Sequence, residues 1–142
     1  YKIKYQNLRI FMRFKAEVLD IKTYKSTNFI SFASDCLTLS CINLQNPKEL
    51  KIKSKVILGF KSADVMLCKD LMPLLSANKL KVRLLSKECA KIISVCNLQS
   101  LECQNFCFQA LLDSQSAQQI APNDELYAYI GYTSLFIDEI LC

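Results

Sequence analysis

Two glycines in 142 residues constrain this chain more than any other feature of its composition. Antiparallel β-sandwiches need many tight turns, and these turns draw on glycine because it adopts positive φ angles without steric cost. The three prolines are also few for this length. With 51% hydrophobic residues, the chain can bury a core of its own. The composition therefore favours long helices joined by short polar loops.

An internal similarity at about 36 residues points to the same fold class. Residues 55–78 align on residues 91–114 at an offset of 36, and residues 88–98 align on 125–135 at an offset of 37. Repeats of this length are typical of solenoids built from helical hairpins. We predict an all-α helical-hairpin repeat, an α-solenoid, forming one domain over residues 1–142 with about three and a half repeats of 36–39 residues. The predicted units are 5–46, 47–85, 86–121 and 122–142.

Some segments leave this prediction open. The first predicted helix, residues 8–21, has an apolar stripe that includes Phe11, Val18 and Leu19. Residues 29–44 are dense in β-branched side chains, so they form either a helix or a strand. Pro73 lies inside another predicted helix, where proline removes a backbone donor and kinks the chain. An α/β domain with strands at 29–44 and 51–60 is the remaining alternative.

Eight cysteines allow three interpretations, and four of them fall in the short stretch from Cys89 to Leu112. A disulfide framework is typical of short, loop-rich secreted chains, whereas this chain has a core of its own and begins without a signal peptide. Zinc sites show paired spacings such as C-x₂-C, which are missing here. Since Cys96, Cys103 and Cys107 align with Phe60, Leu67 and Leu71 of the preceding repeat, we interpret them as core residues in a reducing compartment. No metal site is predicted.

The sequence also lacks the side chains that most catalytic sites require. There is no histidine to activate a serine or cysteine nucleophile. The two glycines are isolated, so no glycine-rich phosphate loop forms. The adjacent carboxylates Asp124/Glu125 and Asp138/Glu139 are interpreted as helix caps and solvated surface. We expect no enzymatic activity, no cofactor and no small-molecule substrate.

Charge is distributed very unevenly along the chain. Residues 1–91 carry all 18 lysines and arginines against seven acids, whereas residues 92–142 carry six acids and no base. Such asymmetry indicates a polyanionic partner for the basic part, and nucleic acid is a common one. One basic cluster per predicted hairpin would match the phosphates of an RNA strand, although a lysine-rich solvated surface is an open alternative. The candidate RNA-binding residues are Lys2, Arg9, Arg13, Lys48, Lys51, Lys53, Lys55, Lys79, Lys81, Arg83 and Lys87.

The end of the sequence carries aromatic residues that suit a protein contact. A repeat array that stops within a unit needs a partner or more chain to cover its apolar face. Core packing of the terminal hairpin is the alternative use for these side chains. The candidate partner-binding residues are Tyr127, Tyr129, Tyr132 and Phe136.

Residues 85–112, "LSKECAKIISVCNLQSLECQNFCFQALL", resemble an octotricopeptide or heptatricopeptide repeat, and residues 55–75 and 125–141 are similar to it as well. These helical hairpins belong to organellar RNA-binding proteins that often carry a RAP domain. The resemblance implies RNA binding, with rRNA as the expected partner, in a mitochondrial ribosome or another rRNA-stabilising assembly of several proteins. It also implies import after removal of a targeting peptide that the given chain lacks. The alternative is an armadillo-like or HEAT-like protein scaffold without RNA contact; neither function predicts a membrane segment.

Overall fold

The computed structural model describes residues 10–44 and 49–141, and nearly all of their regular structure is β-sheet. The ten strands are β1 Phe11–Tyr24, β2 Thr27–Ser34, β3 Leu37–Asn43, β4 Lys55–Lys61, β5 Val65–Cys68, β6 Ala77–Cys89, β7 Ile93–Ser100, β8 Cys107–Asp113, β9 Glu125–Gly131 and β10 Phe136–Leu141. Helix is confined, within these ranges, to a 3₁₀ turn at Ser62–Asp64 and to α1, Ser114–Ala117. The predicted all-α solenoid is therefore wrong, and so is the α/β alternative. The strand alternative for residues 29–44 corresponds to β2 and β3.

Alternation of inward and outward side chains explains why β1 is a strand. Ala16 and Val18 are buried, while Arg13 and Lys15 on the opposite face are exposed, which is the period of two that strands require. The predicted helical stripe of residues 8–21 fails for the same reason, because Phe11 is 48% and Leu19 is 44% exposed. Residue 19 marks a β-bulge, where the register of β1 with β2 shifts between Val18 and Asp20.

Tight turns form here without glycine. Within the described residues no glycine has a positive φ, and Gly59 and Gly131 both lie in strands. The positive φ angles are adopted by other residues, several of which are polar types that tolerate this conformation when their neighbours hold it. The inference from scarce glycine to long helices was therefore wrong. These residues are Lys25, Asp35, Lys53, Ser76 and Asn123, with φ of 56°, 50°, 75°, 56° and 75°.

The strands form two antiparallel five-stranded sheets that exchange one strand each. The first sheet has the order β10-β4-β1-β2-β3, and the second has the order β5-β9-β6-β7-β8. Strands β1 to β5 make up the first half of the chain, and β6 to β10 make up the second half. Each half therefore contributes its fifth strand to the sheet of the other half, so that β5 pairs with β9 and β10 pairs with β4.

The two halves have the same pattern of strand pairing, which reveals an internal duplication. The pairing of β6 with β7 reproduces that of β1 with β2 after a shift of 66 residues, and the bulge beside Leu84 matches the one beside Val18. Strands β4 and β9 correspond after a shift of 70 residues. The turns before them agree too, since Lys53 and Asn123 share a φ of 75° and donate to the carbonyls of Val18 and Leu84.

The predicted 36-residue repeat is therefore wrong. The actual repeat is nearly twice as long, and the predicted unit boundary between residues 85 and 86 falls inside β6. Few side chains are identical between the two halves, so the duplication is visible in backbone pairing rather than in the sequence.

A continuous apolar core joins the two halves. The ring of Phe14 lies 6.1 Å from Phe60 and 5.0 Å from Phe106, in edge-on geometry, and Phe60 lies 5.7 Å from Phe108. Phe14 and Phe60 belong to the first half, whereas Phe106 and Phe108 belong to the second. Edge-to-face aromatic pairs add to the burial of apolar area, so these contacts stabilise one half against the other.

A buried polar bridge links the sheets near the edge strand β3. The side-chain amide of Asn78, on β6, donates to the carbonyls of Ser40 at 2.9 Å and Ile130 at 3.1 Å. Its carbonyl oxygen accepts from the Ser40 N–H at 2.7 Å. Since Ser40 lies on β3 and Ile130 on β9, this one side chain connects the edge of the first sheet to the second sheet.

The connection between the halves, residues 69–76, is held by Tyr129. This tyrosine is fully buried, accepts from the Met72 N–H at 2.7 Å and donates to the Met72 carbonyl at 3.0 Å. Pro73 lies in this connection rather than in a helix, so its missing donor breaks no helical hydrogen bond. No helix within residues 10–44 and 49–141 is long and apolar enough to cross a membrane.

Replacing Asn78 tests the polar bridge. We expect Asn78→Ala to lower the free energy of unfolding by about 1–3 kcal/mol, because it leaves buried backbone groups of Ser40 and Ile130 without their partner. Asn105→Ala, in the exposed turn before β8, is the matched control and should change little. Urea denaturation of both variants measures the difference, and equal stabilities would show that Asn78 is dispensable.

Candidate functional site

An open groove crosses the outer face of the first sheet. It consists of two adjoining hollows with volumes of about 350 Å³ and 510 Å³, which share Lys15 and Leu141. Strands β1, β4 and β10 line it, and the hairpin between β2 and β3 closes one side. Its remaining lining residues are Arg13, Phe14, Ala16, Glu17, Ala33, Ser34, Asp35, Lys55, Ile57 and Glu139.

Strand pairing explains how these charges come together. In the ladder of β1 and β4, Lys15 is opposite Ile57 and Glu17 is opposite Lys55. In the ladder of β10 and β4, Leu141 is also opposite Lys55. Because side chains on one face of a sheet recur at every second residue, residues 13, 15 and 17 all reach the outer face beside β4.

Two cations of the groove are already paired with carboxylates. The Arg13 Nε donates to Asp138 Oδ2 at 2.6 Å, and its guanidinium lies 3.7 Å from Glu139. The Lys55 ammonium donates to Glu17 Oε1 at 2.8 Å. The hydrogen bond from Lys55 and its positive charge lower the pKa of Glu17, so that this carboxylate stays ionised and the pair remains intact near neutral pH.

Lys15 is the exception among these cations. It is exposed at the wall that the two hollows share, and within residues 10–44 and 49–141 it forms no ion pair with a carboxylate. An ammonium has three N–H donors, and those of Lys15 are open to a ligand in the groove. The groove therefore offers a free positive charge between two pairs that are already neutralised.

The second sheet carries an equivalent surface with different charges. The 66-residue shift places Lys81 at the position of Lys15, so the two halves have the same residue there. The pair Glu17–Lys55 has as its counterpart Arg83 with Glu125, 3.4 Å apart, in which the signs of the charges are exchanged. Lys81 also lies 3.6 Å from Glu125, so unlike Lys15 it has a carboxylate neighbour.

The structure does not gather the predicted RNA-binding residues into one array. Lys2, Arg9 and Lys48 lie outside the described residues. Arg13 and Lys55 lie in the groove on the first sheet, and Lys51 and Lys53 lie in the turn before β4. The remaining four belong to β6 of the second sheet: Lys79, Lys81, Arg83 and Lys87.

Lys87 has a structural contact rather than a free charge. Its ammonium donates to the carbonyls of Ala117 at 2.7 Å and Ile120 at 2.6 Å, next to the end of α1. The predicted array of basic clusters along stacked hairpins is wrong, because the hairpins are β-hairpins in two separate sheets. Sequence reasoning missed Lys15, Ser34 and Asp35; the alternation of residues 12–18 was the signal that could have placed Lys15 on an outer face.

The four predicted partner-binding aromatic residues do not share a surface. Tyr129 is buried, and its hydroxyl holds Met72. The half-buried Tyr132 packs edge-on against Phe29 with ring centroids 5.3 Å apart. The ring of Phe136 covers Gly59, where an added Cβ would come within 2.8 Å of it. Tyr127 is half-buried on β9.

The seven described cysteines fall into four groups, one of which is Cys68 alone, free and half-buried. Cys36 and Cys103 form a disulfide bond. Cys41 and Cys96 are free and buried, and desolvation raises the pKa of each thiol to about 11. Cys89 and Cys107 are free and exposed. The interpretation of Cys96 and Cys103 as core residues agrees with this structure, although Cys103 is in a disulfide bond rather than free, whereas that of Cys107 was wrong. Within the part of the chain that is described, no three Cys, Asp or Glu side chains come together as metal ligands.

No family model matches this sequence, and a search of curated proteins finds no match. Among solved structures, the chain is similar to ModG, a cytoplasmic molybdate-binding protein crystallised with molybdate bound. The TM-score is 0.81 over 89% of this chain and 94% of ModG, at 15% sequence identity. At this identity, the comparison shows a shared fold.

This likeness corrects the predictions that depended on helical repeats. The resemblance to octotricopeptide or heptatricopeptide repeats is wrong, because the chain has a ModG-like β fold. RNA binding in a ribosomal assembly and the armadillo-like or HEAT-like scaffold both required helical hairpins, so both of these predictions are wrong as well. The expectation of an RNA partner and no small-molecule substrate depended on the same helical repeats and is wrong; the protein that shares this fold is described as binding molybdate. Mitochondrial localisation rested on the same resemblance, and the neighbour is described as cytoplasmic.

Alkylation of the native chain tests the grouping of the cysteines. At about pH 8, Cys89 and Cys107 should react with iodoacetamide, because their thiols are free and exposed to the reagent. Cys41 and Cys96 should react only after unfolding, since burial keeps them protonated and inaccessible. Peptide mass mapping before and after denaturation measures this, and labelling of native Cys96 at the rate of Cys107 would contradict the assignment.

Proposed function

We propose that this chain is a non-catalytic protein that binds a small tetrahedral oxyanion, such as molybdate, in the groove on the first sheet. The observation that carries the proposal is the Lys15 ammonium at the junction of the two hollows, which has no carboxylate partner in the part of the chain that the structure describes. Its charge and three donors suit an oxyanion, which accepts charge-assisted hydrogen bonds on several oxygens.

The arrangement of the flanking charges supports a small ligand rather than a long polyanion. Arg13 and Lys55 are each bound to a carboxylate, so the positive potential is concentrated at one point instead of along a track. Repeated phosphates are recognised by several free cations in a row. A single free cation in an open hollow is better matched to one compact anion.

The fold likeness supports the same proposal by analogy. ModG binds molybdate on a fold that matches this chain over most of both lengths. A shared fold does not transfer a site, so the argument depends on the residues of this groove rather than on those of ModG. A binding role without catalysis is proposed because the residues around Lys15 include no nucleophile paired with a base.

The role of Lys15 can be measured by replacing it. We expect the chain to bind molybdate, and Lys15→Ala to weaken that binding by about tenfold or more, equivalent to about 1.4 kcal/mol. Lys22→Ala is the matched control, because Lys22 is an exposed lysine of the same strand beyond the segment that pairs with β4. Isothermal titration calorimetry with molybdate, tungstate and sulfate gives the three affinities.

Two results would contradict this proposal. If none of the three anions binds at up to about 1 mM, the chain is not an oxyanion-binding protein. If binding occurs but Lys15→Ala and Lys22→Ala weaken it equally, the anion is attracted by net charge and the groove is not its site.

A further inference from the structure

The equivalent hairpin connections of the two halves are joined covalently. The turn between β2 and β3 contains Cys36, and the connection between β7 and β8 contains Cys103. Their disulfide spans 67 positions of sequence, with the Cα atoms 5.6 Å apart. The bond therefore fixes the hairpin of the first half to the body of the second half.

The two ends of this disulfide differ in their surroundings. Cys103 is 4% exposed, donates its N–H to Ser100 Oγ at 3.1 Å and accepts from the Phe106 N–H at 2.8 Å. Cys36 is exposed in a two-residue turn, beside Asp35 with its φ of 50°. The disulfide is thus anchored at a buried, hydrogen-bonded end and accessible from solvent at the other.

The accessible end lies next to the groove. Ala33, Ser34 and Asp35 line the larger hollow and directly precede Cys36. Ser34 Oγ also donates to the carbonyl of Lys15 at 2.8 Å, so the same segment touches the backbone of the proposed ligand-binding residue. Any shift of the hairpin tip therefore changes the wall of the hollow that faces Lys15.

We propose that the Cys36–Cys103 disulfide is a redox-sensitive latch, which holds residues 33–35 in place beside Lys15 and so keeps the groove in its binding geometry. This inference rests on the proposed function, because it assigns regulation to the same groove. The oxidised chain binds a small oxyanion more tightly than the reduced chain, since a wall already held in position loses less freedom on binding.

A dithiol reductant opens the latch by thiol–disulfide exchange. A thiolate of the reductant attacks the exposed Cys36 sulfur, forming a mixed disulfide, while the bond to Cys103 breaks and Cys103 leaves as a thiolate that takes a proton. The second thiolate of the reductant then attacks the reductant sulfur of the mixed disulfide. This step closes the disulfide of the reductant and releases Cys36 as a thiolate, which takes a proton. The protein gains two electrons and two protons, and the reductant ends as a disulfide.

Loss of the bond leaves the hairpin tip joined to the second half only by noncovalent contacts, in which the Cys36 N–H lies 3.3 Å from Cys103 Sγ and the Cys36 sulfur lies 3.2 Å from the Glu102 carbonyl. The pairing of Ser34 with Leu37 and the hydrogen bond from Ser34 to Lys15 both remain. The covalent link to the second half is lost. The reduced chain therefore keeps its fold through the core and the exchanged strands, but the tip of the β2–β3 hairpin, no longer covalently fixed, moves more than in the oxidised chain.

The test measures hairpin mobility and anion affinity separately in the oxidised and reduced chain. Hydrogen exchange of residues 33–36 should increase after reduction with dithiothreitol, while exchange in β9 stays unchanged. Calorimetry with molybdate should show about threefold or greater loss of affinity in the reduced chain. The variant Cys36→Ser should match the reduced chain in both measurements and should not respond to reductant. Cys107→Ser, which removes an exposed free cysteine, should behave as the unmodified chain.

The outcomes separate this inference from the proposed function. Unchanged exchange at residues 33–36 after reduction would overturn the latch, whatever the anion affinity. Increased exchange with equal or tighter molybdate binding would overturn its control of the groove. If the oxidised chain binds no oxyanion, the proposed function and control of binding both fail, while hydrogen exchange still decides whether the disulfide holds the hairpin.

Discussion

The exchange of fifth strands between the halves is the constraint on which the rest of the structure depends. Strand β10 completes the first sheet beside β4, and β5 completes the second sheet beside β9. Neither half has a full sheet from its own residues. The shared aromatic core, the Asn78 bridge and the anchoring of Met72 by Tyr129 all follow from sheets that are interlocked in this way.

The groove is a consequence of the same exchange. Its floor and one wall come from β1 and β4, whereas Glu139 and Leu141 come from β10 of the second half. The carboxylates of β10 pair with Arg13, and Glu17 pairs with Lys55. Among the groove residues that the structure describes, strand register leaves the Lys15 ammonium without a carboxylate partner. The duplicated position in the second sheet, Lys81, has Glu125 beside it, so the two halves share a plan without sharing the same electrostatics.

Part of this architecture could be predicted from the sequence, and part could not. The strand propensity of residues 29–44 was detectable, and so was the alternation around Lys15. The inference from glycine failed for a physical reason, because Lys25, Asp35 and Lys53 take positive φ angles that were assigned to glycine. The repeat search failed because apolar residues are common in both halves, so chance agreement at 36 residues was stronger than the true correspondence of paired strands.

Other features depend on long-range contacts that no local pattern encodes. The disulfide joins residues 67 positions apart, and the Arg13–Asp138 pair spans nearly the whole described chain. Spacing rules identify cysteine pairs that are close in sequence. They therefore do not predict a bond between Cys36 and Cys103, which lies in the cluster at residues 89–107. The charge asymmetry is present in the sequence, but pairing across β1, β4 and β10 neutralises Arg13 and Lys55, two of the predicted RNA-binding residues.

The most direct test of the account is to locate an anion experimentally. A crystal of the oxidised chain grown or soaked with tungstate would reveal the metal by its anomalous scattering. We expect a tungsten peak within hydrogen-bonding reach of the Lys15 ammonium, in the groove formed by β1, β4 and the β2–β3 hairpin. A peak elsewhere on the molecule, or none at saturating tungstate, would contradict the assignment of this groove as the binding site.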